Sequence, residues 1–285
     1  MAPSPGAVSV SQKGAVMNFP WISQILNGGP ANKVADGIAL VLMLVAIGIW
    51  VLEFSGRTIS RKGIVRNNLV WNSRTVALVA VSAAIYIAGR PLQIQFIPGI
   101  GGFNPSFSLG PVLSILFGLP GAIGATFSMP IGDAISGALT IGSAAGLLGH
   151  TFYTWIPYKL VTDPSLKKFS MWVRLYIALF FGWLGLVITI PGWLDFTKLL
   201  PPAVAWGGVS ATITLNQFII PAVVVPVLLL ALFPLVRQQG LFHGDLGGQK
   251  NRGDRSSMRQ SVSQSSNFDP DVPDVPNVPT ELRQP

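Results

Sequence analysis

The stretch GIALVLMLVAIGIWVLEF, residues 37–54, decides the fold class of this chain. It is apolar throughout apart from Glu53, which lies near its end. An apolar run of about 18 residues or more with almost no charge is long enough to cross the hydrocarbon core of a bilayer as an α-helix. The stretch therefore predicts a transmembrane helix, with Glu53 close enough to the interface to reach the headgroups.

The composition of the whole chain agrees with this prediction. Of its 285 residues, 50% are hydrophobic and 11% are charged, and the mean hydropathy is +0.54. A soluble domain carries about 25% charged residues, so the composition argues against the soluble globular class. The absence of cysteine excludes disulfides and thiolate sites, and the two histidines, His150 and His243, leave a histidine-rich metal site or a Ser-His-Asp hydrolase poorly supplied.

Six further apolar segments follow the first. They lie at about residues 71–88, 107–120, 122–141, 144–161, 171–190 and 206–235. None alternates strictly between polar and apolar residues as a membrane barrel strand does, so we predict an all-α integral membrane protein with seven spans. The last segment is long and contains Pro221, Pro226 and Pro234, which predicts a kink or a tilt.

The two ends of the chain differ in composition from the spans. Residues 1–36 are mixed and rich in Gly and Pro, and we expect a non-cytoplasmic arm. Residues 240–285 are rich in Ser, Gln, Asp and Arg, with a repeated Val-Pro pair, and have too few apolar residues to fold alone. This composition predicts a disordered cytoplasmic tail.

The distribution of basic residues predicts the orientation. If seven spans alternate sides, fifteen of the nineteen Lys and Arg residues fall on one side of the membrane. Cytoplasmic loops carry the excess of Lys and Arg. We therefore expect a multi-pass plasma membrane protein with its N-terminus outside and its C-terminus in the cytoplasm.

Asp133 is the most informative single residue, because it stands inside the predicted fourth span, 122–141. A carboxylate in a membrane helix costs roughly 2.5–3.5 kcal/mol to insert, so it should face a wet cavity, a partner or a ligand. The other interpretation is a packing residue that is protonated or bonded to a neighbouring hydroxyl. We favour a functional Asp133 that binds substrate.

Three more residues are candidates for the same substrate site. At about 1.5 Å per residue from the outer end of each helix, His150 and Asn216 lie near the middle of the membrane and Asp133 somewhat nearer the outer face. They could converge on one site that opens to the outside. Tyr153, on the same span as His150, either joins this site or packs within the bundle.

The outer loop between the second and third spans supplies two further candidates. Gln95 lies in this Pro-rich and Gly-rich loop and Asn104 lies near its end. Both would be placed to close a site that opens outward. Solvated loop residues are the simpler interpretation of the same positions.

The second span carries a stripe of small residues at Ala80, Ala84 and Ala88. Small residues four apart form a flat face that lets another membrane helix approach closely. Ordinary packing within the bundle explains the same pattern. The stripe is therefore a candidate partner interface that the pattern alone does not establish.

Several catalytic patterns are missing from the sequence. No phosphate-binding loop, HExxH, GxSxG or complete GxGxxG pattern occurs. We therefore expect no enzyme and no cofactor, and any energy for transport would come from a partner or from an ion gradient.

The stretch 90–159 resembles the substrate-binding S components of energy-coupling factor (ECF) transporters. The points of similarity are the Phe-Gly-Leu-Pro-Gly turn at 117–121, the Ile-Gly-Asp element at 131–133 and the Pro-Tyr-Lys exit at 157–159. The similarity extends over about residues 74–235, with six spans, the helix number of that family. The helix at 37–54 and the tail would be additions to this six-helix core, which is expected within 71–235.

The resemblance implies a membrane-embedded subunit that binds a small vitamin-like micronutrient. Such a subunit works with a transmembrane coupling subunit and two ATPase subunits. In that family an alanine stripe on the first core helix faces the coupling subunit, which is the place of Ala80, Ala84 and Ala88 here. The loop that follows this helix gates the pocket.

Two other classes of function remain open. An ion-coupled secondary transporter would use Asp133 as its proton or cation site, although no inverted repeat is visible in the hydropathy. A non-transport scaffold would use the basic loops and the tail, with the lipid bilayer as its partner. In none of these readings is nucleic acid a partner, since positive-inside placement explains the net charge of +8.

Overall fold

A computed structural model describes residues 20–60, 63–67, 69–92, 94–97, 101–135 and 139–244 of the chain. Most of them are helical. The helices are α1 Pro20–Leu26, α2 Pro30–Phe54, α3 Ser73–Ala88, α4 Leu109–Phe117, α5 Leu119–Ile135, α6 Gly142–Leu160, α7 Phe169–Phe196, α8 Ser210–Thr214 and α9 Ile220–Gln238. Two π-helical segments, Ala203–Val209 and Leu215–Ile219, join α8 and α9 into one helical stretch, and short 3₁₀ turns lie at Arg90–Leu92 and Pro105–Ser108.

Three of these helical stretches are long and apolar enough to cross a membrane. They are Pro30–Phe54, Phe169–Phe196 and Ala203–Gln238. Their outer faces carry exposed large apolar side chains, such as Leu44 on α2 and Val223 on α9. A helix that exposes this much apolar surface is suited to lipid rather than to water. The chain is thus an α-helical protein of the membrane type, while the seven spans, the six-helix core and the added first helix remain predictions.

Two short β-hairpins lie between helices, which the sequence reading did not anticipate. Strands β1 Arg57–Ser60 and β2 Gly63–Arg66 pair antiparallel, with Ile59 opposite Ile64. Strands β3 Ile94–Ile97 and β4 Gly101–Phe103 form a second antiparallel pair in the loop that follows α3. β-Branched residues such as Ile59 and Ile64 favour such extended pairing.

The helix termini define two ends of the bundle. α2 and α6 end where α3 begins, and we call this the Phe54 end. α3 ends and α6 begins at the other side, which we call the Arg90 end. Glu53 lies at the Phe54 end, and Asp133 lies at the Arg90 end.

The turn between α4 and α5 depends on two glycines. Gly118 has φ +67°, a left-handed conformation that side chains disfavour. A Cβ atom on Gly121 would lie 2.1 Å from the carbonyl oxygen of Leu113, so α4 and α5 approach closely only because this residue has no side chain. The Phe-Gly-Leu-Pro-Gly sequence therefore folds the chain back on itself within a few residues.

The short helix α4 is the centre of the bundle. Every residue from Gly110 to Phe117 is buried, although α4 has only nine residues. A helix that is apolar on all sides requires neighbours on all sides, and α4 packs against α5, α6 and α9. Because α4 is buried, the 3₁₀ turn that precedes it, Pro105–Ser108, lies next to the interior.

The fourth predicted span ends earlier than expected. The described part of α5 runs to Ile135, residues 136–138 lie outside the described residues, and residues 139 and 140 are not helical, so the helix ends before residue 141. Asp133 therefore lies nearer the end of its helix than the predicted span 122–141 places it. The sequence contains the reason, since Pro130 lacks a backbone donor and Gly132 and Gly137 weaken the helix, although the residues around them are apolar.

Helix α2 is packed along the bundle. Its buried face includes Ala39 and Ala46, and the indole N–H of Trp50 donates to Oγ1 of Thr151 on α6 across 2.7 Å. The helix begins at Pro30, so residues 30–36 belong to it and not to the predicted arm. Of that arm, residues 1–19 lie outside the described residues, as does the tail from residue 245 onward.

Glu53, at the end of α2, is buried within the protein, with 2% of its surface exposed. The indole N–H of Trp155 donates to its carboxylate at 2.7 Å and the hydroxyl of Tyr158 at 3.0 Å. Thr58 also donates to it at 2.5 Å, and Lys159 Nζ lies 3.4 Å away. The sequence does not reveal these contacts of Glu53, because most of the partners come from α6, about a hundred residues away.

Candidate functional site

Four side chains from three elements meet in the interior around His150. Tyr86 comes from α3, Phe107 from the 3₁₀ turn Pro105–Ser108, and His150 and Tyr153 from α6. We call these four residues the central cluster. Tyr86, His150 and Tyr153 are each at most 1% exposed.

One hydrogen-bond chain orients the imidazole in the central cluster. Nδ1 of His150 lies 2.8 Å from the carbonyl oxygen of Gly146, and Nε2 lies 3.1 Å from the hydroxyl of Tyr86. A carbonyl oxygen only accepts, so Nδ1 carries the proton, and Nε2 of the neutral ring accepts from Tyr86. Both ring nitrogens are thus occupied, and the ring is held in one orientation.

The rings of the central cluster form an aromatic wall. Phe107 lies 6.0 Å from His150 between ring centroids, and Tyr153 lies 5.8 Å from His150 in an edge-on arrangement. Tyr86 and Phe107 lie 6.4 Å apart. Rings at these distances stabilise each other and offer faces and edges to a flat ligand.

Two asparagines adjoin this wall through the 3₁₀ turn. The backbone N–H of Asn104 donates to Oδ1 of Asn216 at 2.7 Å, and Oδ1 of Asn104 accepts from the backbone N–H of Ser106 at 3.0 Å. Asn104 and Asn216 are buried. Asn216 lies in the π-helical segment Leu215–Ile219, and such segments are frequent at functional sites because they interrupt the regular α-helical hydrogen bonding.

Several buried polar atoms in this region have no hydrogen-bond partner in the described part of the chain. They are Nδ2 of Asn104, Oγ of Ser108, the hydroxyl oxygen of Tyr153 and Oε1 of Gln217. An unsatisfied buried polar group costs about 1–3 kcal/mol, so native proteins leave few of them. Together they provide donors and acceptors for a small polar molecule.

Arg90 and Asp133 form an ion pair beside the central cluster, and each side chain is 16% exposed. Arg90 lies directly after α3, and its guanidinium also sits over the ring of Phe107, 5.6 Å from the centroid. Asp133 therefore reaches the central cluster through Arg90 and Phe107. Arg90 precedes β3, the first strand of the β3–β4 hairpin, by four residues.

The structure brings together some of the residues expected from the sequence. His150 and Tyr153 are in contact, and Asn104 and Asn216 are bonded to each other. Asp133 lies at the edge with Arg90. The backbone of Gln95 belongs to β3, and its side chain lies outside the described residues. That these residues bind substrate remains a prediction.

The sequence reading missed Tyr86, Phe107 and Ser108 as candidate site residues. A signal for Tyr86 was present, because Leu78, Ser82 and Tyr86 recur every four residues along α3 and form its buried face. The opposite face of α3 carries Ala80, Ala84 and Ala88, which are exposed. No pattern in the sequence shows whether Phe107 and Ser108 line a site or only precede a helix.

Two titratable groups at the Phe54 end, His243 and Asp163, lie outside the predicted spans and have shifted pKa values. Burial lowers the pKa of His243, against the opposing effect of a backbone hydrogen bond at Ile115. The hydroxyl of Ser165 lowers the pKa of Asp163 in the loop between α6 and α7. Across the described ranges, no group of three His, Asp or Glu side chains is placed to hold a metal ion.

Comparison of the chain with protein-family models, with curated proteins and with solved structures gives no match.

Proposed function

We propose that this chain is the membrane-embedded, substrate-binding subunit of an ATP-driven importer of the ECF type, for a small vitamin-like micronutrient. The observation that carries the proposal is the set of unpartnered buried atoms at Asn104, Ser108, Tyr153 and Gln217 next to an aromatic wall. A ligand that combines a flat apolar ring with hydrogen-bonding groups would satisfy both features. The role is binding and release, without catalysis.

The Arg90 end is the proposed entrance from outside. Fifteen of the nineteen Lys and Arg residues would then lie on the cytoplasmic side of a multi-pass plasma membrane protein with its N-terminus outside. The β3–β4 hairpin follows α3 directly and lies next to the ion pair of Arg90 and Asp133. In this proposal the hairpin segment covers the bound substrate, and the protein releases the substrate inward by reorienting as a unit.

The proposed energy source is a partner, since the chain has no ATP-binding motif. Ala80, Ala84 and Ala88 lie on the exposed face of α3, opposite the face that contributes Tyr86. A flat face of small residues suits close packing of a second helix. We assign this face to a transmembrane coupling subunit, to which the ATPase subunits bind.

An ion-coupled transporter is the main alternative, with Asp133 as the cation site. The pairing of Asp133 with Arg90 places a fixed positive charge where the cation would bind, and this disfavours the alternative. Uptake that stops when the proton gradient is dissipated at constant ATP would support the alternative. Uptake that continues under these conditions is expected here.

A binding screen tests the proposal. Purified protein is heated in the presence of each member of a panel of vitamins and their precursors, and its melting temperature is recorded. We expect at least one compound to raise the melting temperature of the wild type and of His243→Gln, and to have little effect on His150→Gln. These are the two histidines of the chain. A panel without any effect, or equal effects on both variants, would count against the site.

A further inference from the structure

A cavity lies at the Phe54 end, away from the central cluster. It is a cleft of about 1200 Å³ between the β1–β2 hairpin, the start of α3, the α4–α5 turn and the end of α6. Along α3, eight residues, or about 12 Å at 1.5 Å per residue, separate Leu78, which lines the cleft, from Tyr86, and no residue of the central cluster is among the described lining residues. The cleft is therefore a site of its own.

The walls of the cleft are basic. Arg66, Arg74, Lys159 and Arg174 line it. Among its described lining residues the one carboxylate is Glu53, whose side chain is 1% exposed and already accepts hydrogen bonds from its neighbours. A cleft with cations at its surface and a carboxylate held behind them attracts anions.

Two of these cations are not neutralised within the described residues. Arg66 and Arg174 form no salt bridge with any carboxylate that the structure describes there. Arg74 donates a hydrogen bond to the carbonyl oxygen of Gly240, which holds its guanidinium at the cleft. The guanidinium group is well suited to phosphate, because it offers several donors in one plane.

The start of α3 adds to the attraction for an anion. Asn72 and Thr75 line the cleft, and Oδ1 of Asn72 caps the helix by accepting from the backbone N–H of Thr75 at 2.9 Å. The positive end of the dipole of this sixteen-residue helix faces the cleft. A second, independent feature is Nε2 of His243, a buried atom without a partner among the described residues, on a ring that lines the same cleft.

The rim of the cleft is apolar. Of the residues that line the cleft, Ile59 and Val70 are large apolar side chains that are 43% and 59% exposed. Trp71 is 51% exposed and stacks on Phe54 at 6.4 Å, at the place where α2 ends. Exposed aromatic and aliphatic side chains next to Arg and Lys at helix ends are typical of the boundary between hydrocarbon and headgroups.

We propose that this cleft binds the headgroup of an anionic phospholipid. Arg66, Arg74 and Arg174 and the start of α3 contact the phosphate, while the apolar rim at Ile59 and Val70, with Trp71 next to it, contacts the acyl chains. The apolar rim favours a lipid over free phosphate, because a free phosphate ion would leave that rim without a partner. The inference does not depend on the nature of the transported substrate.

Lipid retention by the purified full chain tests this inference. The protein in neutral detergent is titrated with phosphatidylglycerol, with phosphatidylcholine and with inorganic phosphate, and bound lipid is measured by native mass spectrometry. We expect phosphatidylglycerol to be retained in preference to phosphatidylcholine, and millimolar phosphate to compete weakly. Full displacement of the lipid by phosphate would overturn the assignment to a lipid.

Matched variants separate the cleft from general surface charge. Arg66→Gln with Arg174→Gln removes two cations of the cleft, and Lys167→Gln with Lys168→Gln removes two exposed cations from the α6–α7 loop at the same end. We expect the first pair to weaken phosphatidylglycerol binding by about tenfold or more and the second pair to have little effect. Equal loss in both variants, or equal retention of both lipids, would overturn the proposal. Unchanged melting temperatures without added lipid show that both variants are folded.

Discussion

Arg90 and Asp133 form an ion pair that joins the segment after α3 to the C-terminal part of α5. The guanidinium of Arg90 lies at the same time over the ring of Phe107, a wall of the central cluster. The chain between Arg90 and Phe107 contains the β3–β4 hairpin. The ion pair therefore holds one base of this hairpin against the bundle, next to the proposed entrance.

Loss of the ion pair is expected to loosen the hairpin. In Asp133→Asn the Arg90 guanidinium loses its charged partner, so amide hydrogen exchange over residues 90–104 should become faster, by about fivefold for a loss of about 1 kcal/mol. Asp163→Asn removes a carboxylate from the distant α6–α7 loop and serves as the control. Unchanged exchange in Asp133→Asn would show that the pair does not hold the hairpin.

The unpartnered hydroxyl of Tyr153 allows a test that separates binding from stability. In Tyr153→Phe the melting temperature without ligand should stay equal or rise, because a buried group without a hydrogen bond is removed. Ligand affinity should fall by about two- to tenfold, since a typical hydrogen bond contributes about 0.5–1.5 kcal/mol.

Tyr176→Phe is the matched control for this measurement. The hydroxyl of Tyr176 donates to the carbonyl oxygen of Ala222 at 3.2 Å on the outside of α7. Its removal should leave ligand affinity unchanged. A Tyr153→Phe protein that is clearly less stable and binds as tightly as the wild type would assign Tyr153 to packing, the alternative left open by the sequence.

The close approach of α4 and α5 at Gly121 predicts a large effect of one methyl group. In Gly121→Ala the new Cβ atom would lie 2.1 Å from the carbonyl oxygen of Leu113, so the helices must move apart at a cost of about 1–3 kcal/mol. Gly48→Ala on α2 meets no atom within 4 Å and should be neutral or stabilising. Melting temperatures in detergent measure the difference, and equal values for the two variants would contradict the described turn.

The stability of the Phe54 end should depend on pH through His243. The pKa of His243 is lowered in the folded chain. As the pH falls, the unfolded chain therefore binds a proton at this residue near pH 6.5, at a higher pH than the folded chain does. The contribution of neutral His243 to folding is complete above pH 6.5 and is lost as the pH falls toward the lower folded value. The melting temperature should therefore drop between about pH 7.5 and 5.5, and less so in His243→Asn. An identical drop in both proteins would assign it to other groups.

The sequence predicted the long apolar helices well and their contacts poorly. Hydropathy identified the helices that became Pro30–Phe54 and Phe169–Phe196, because membrane helices are defined by length and composition. It did not place Tyr86 against His150, 64 residues along the chain, nor Glu53 among residues of α6. Such pairs depend on how helices pack, and periodicity in one helix does not specify its neighbour.

The fate of Asp133 illustrates the same limit. The residues after it are apolar and small, so hydropathy extended the span to residue 141, while the helix, described as far as Ile135, has ended by residue 139. The partner of Asp133 could not be chosen from the sequence, where Arg90 is a loop residue like several others. The depth of a residue in a membrane depends on where its helix ends, and hydropathy does not fix that position.

The central claim is that this chain binds a small molecule for a partner that hydrolyses ATP. Isolation of the tagged chain from its native membranes, followed by mass spectrometry of the proteins that accompany it, tests this claim most directly. We predict that a membrane coupling protein and ATPase subunits accompany the wild type and Val227→Trp, a control at an exposed position on α9, and are lost from Ala84→Trp, whose side chain would project from the exposed face of α3. Recovery of the wild-type chain always alone, together with substrate uptake that is insensitive to ATP depletion, would contradict the account.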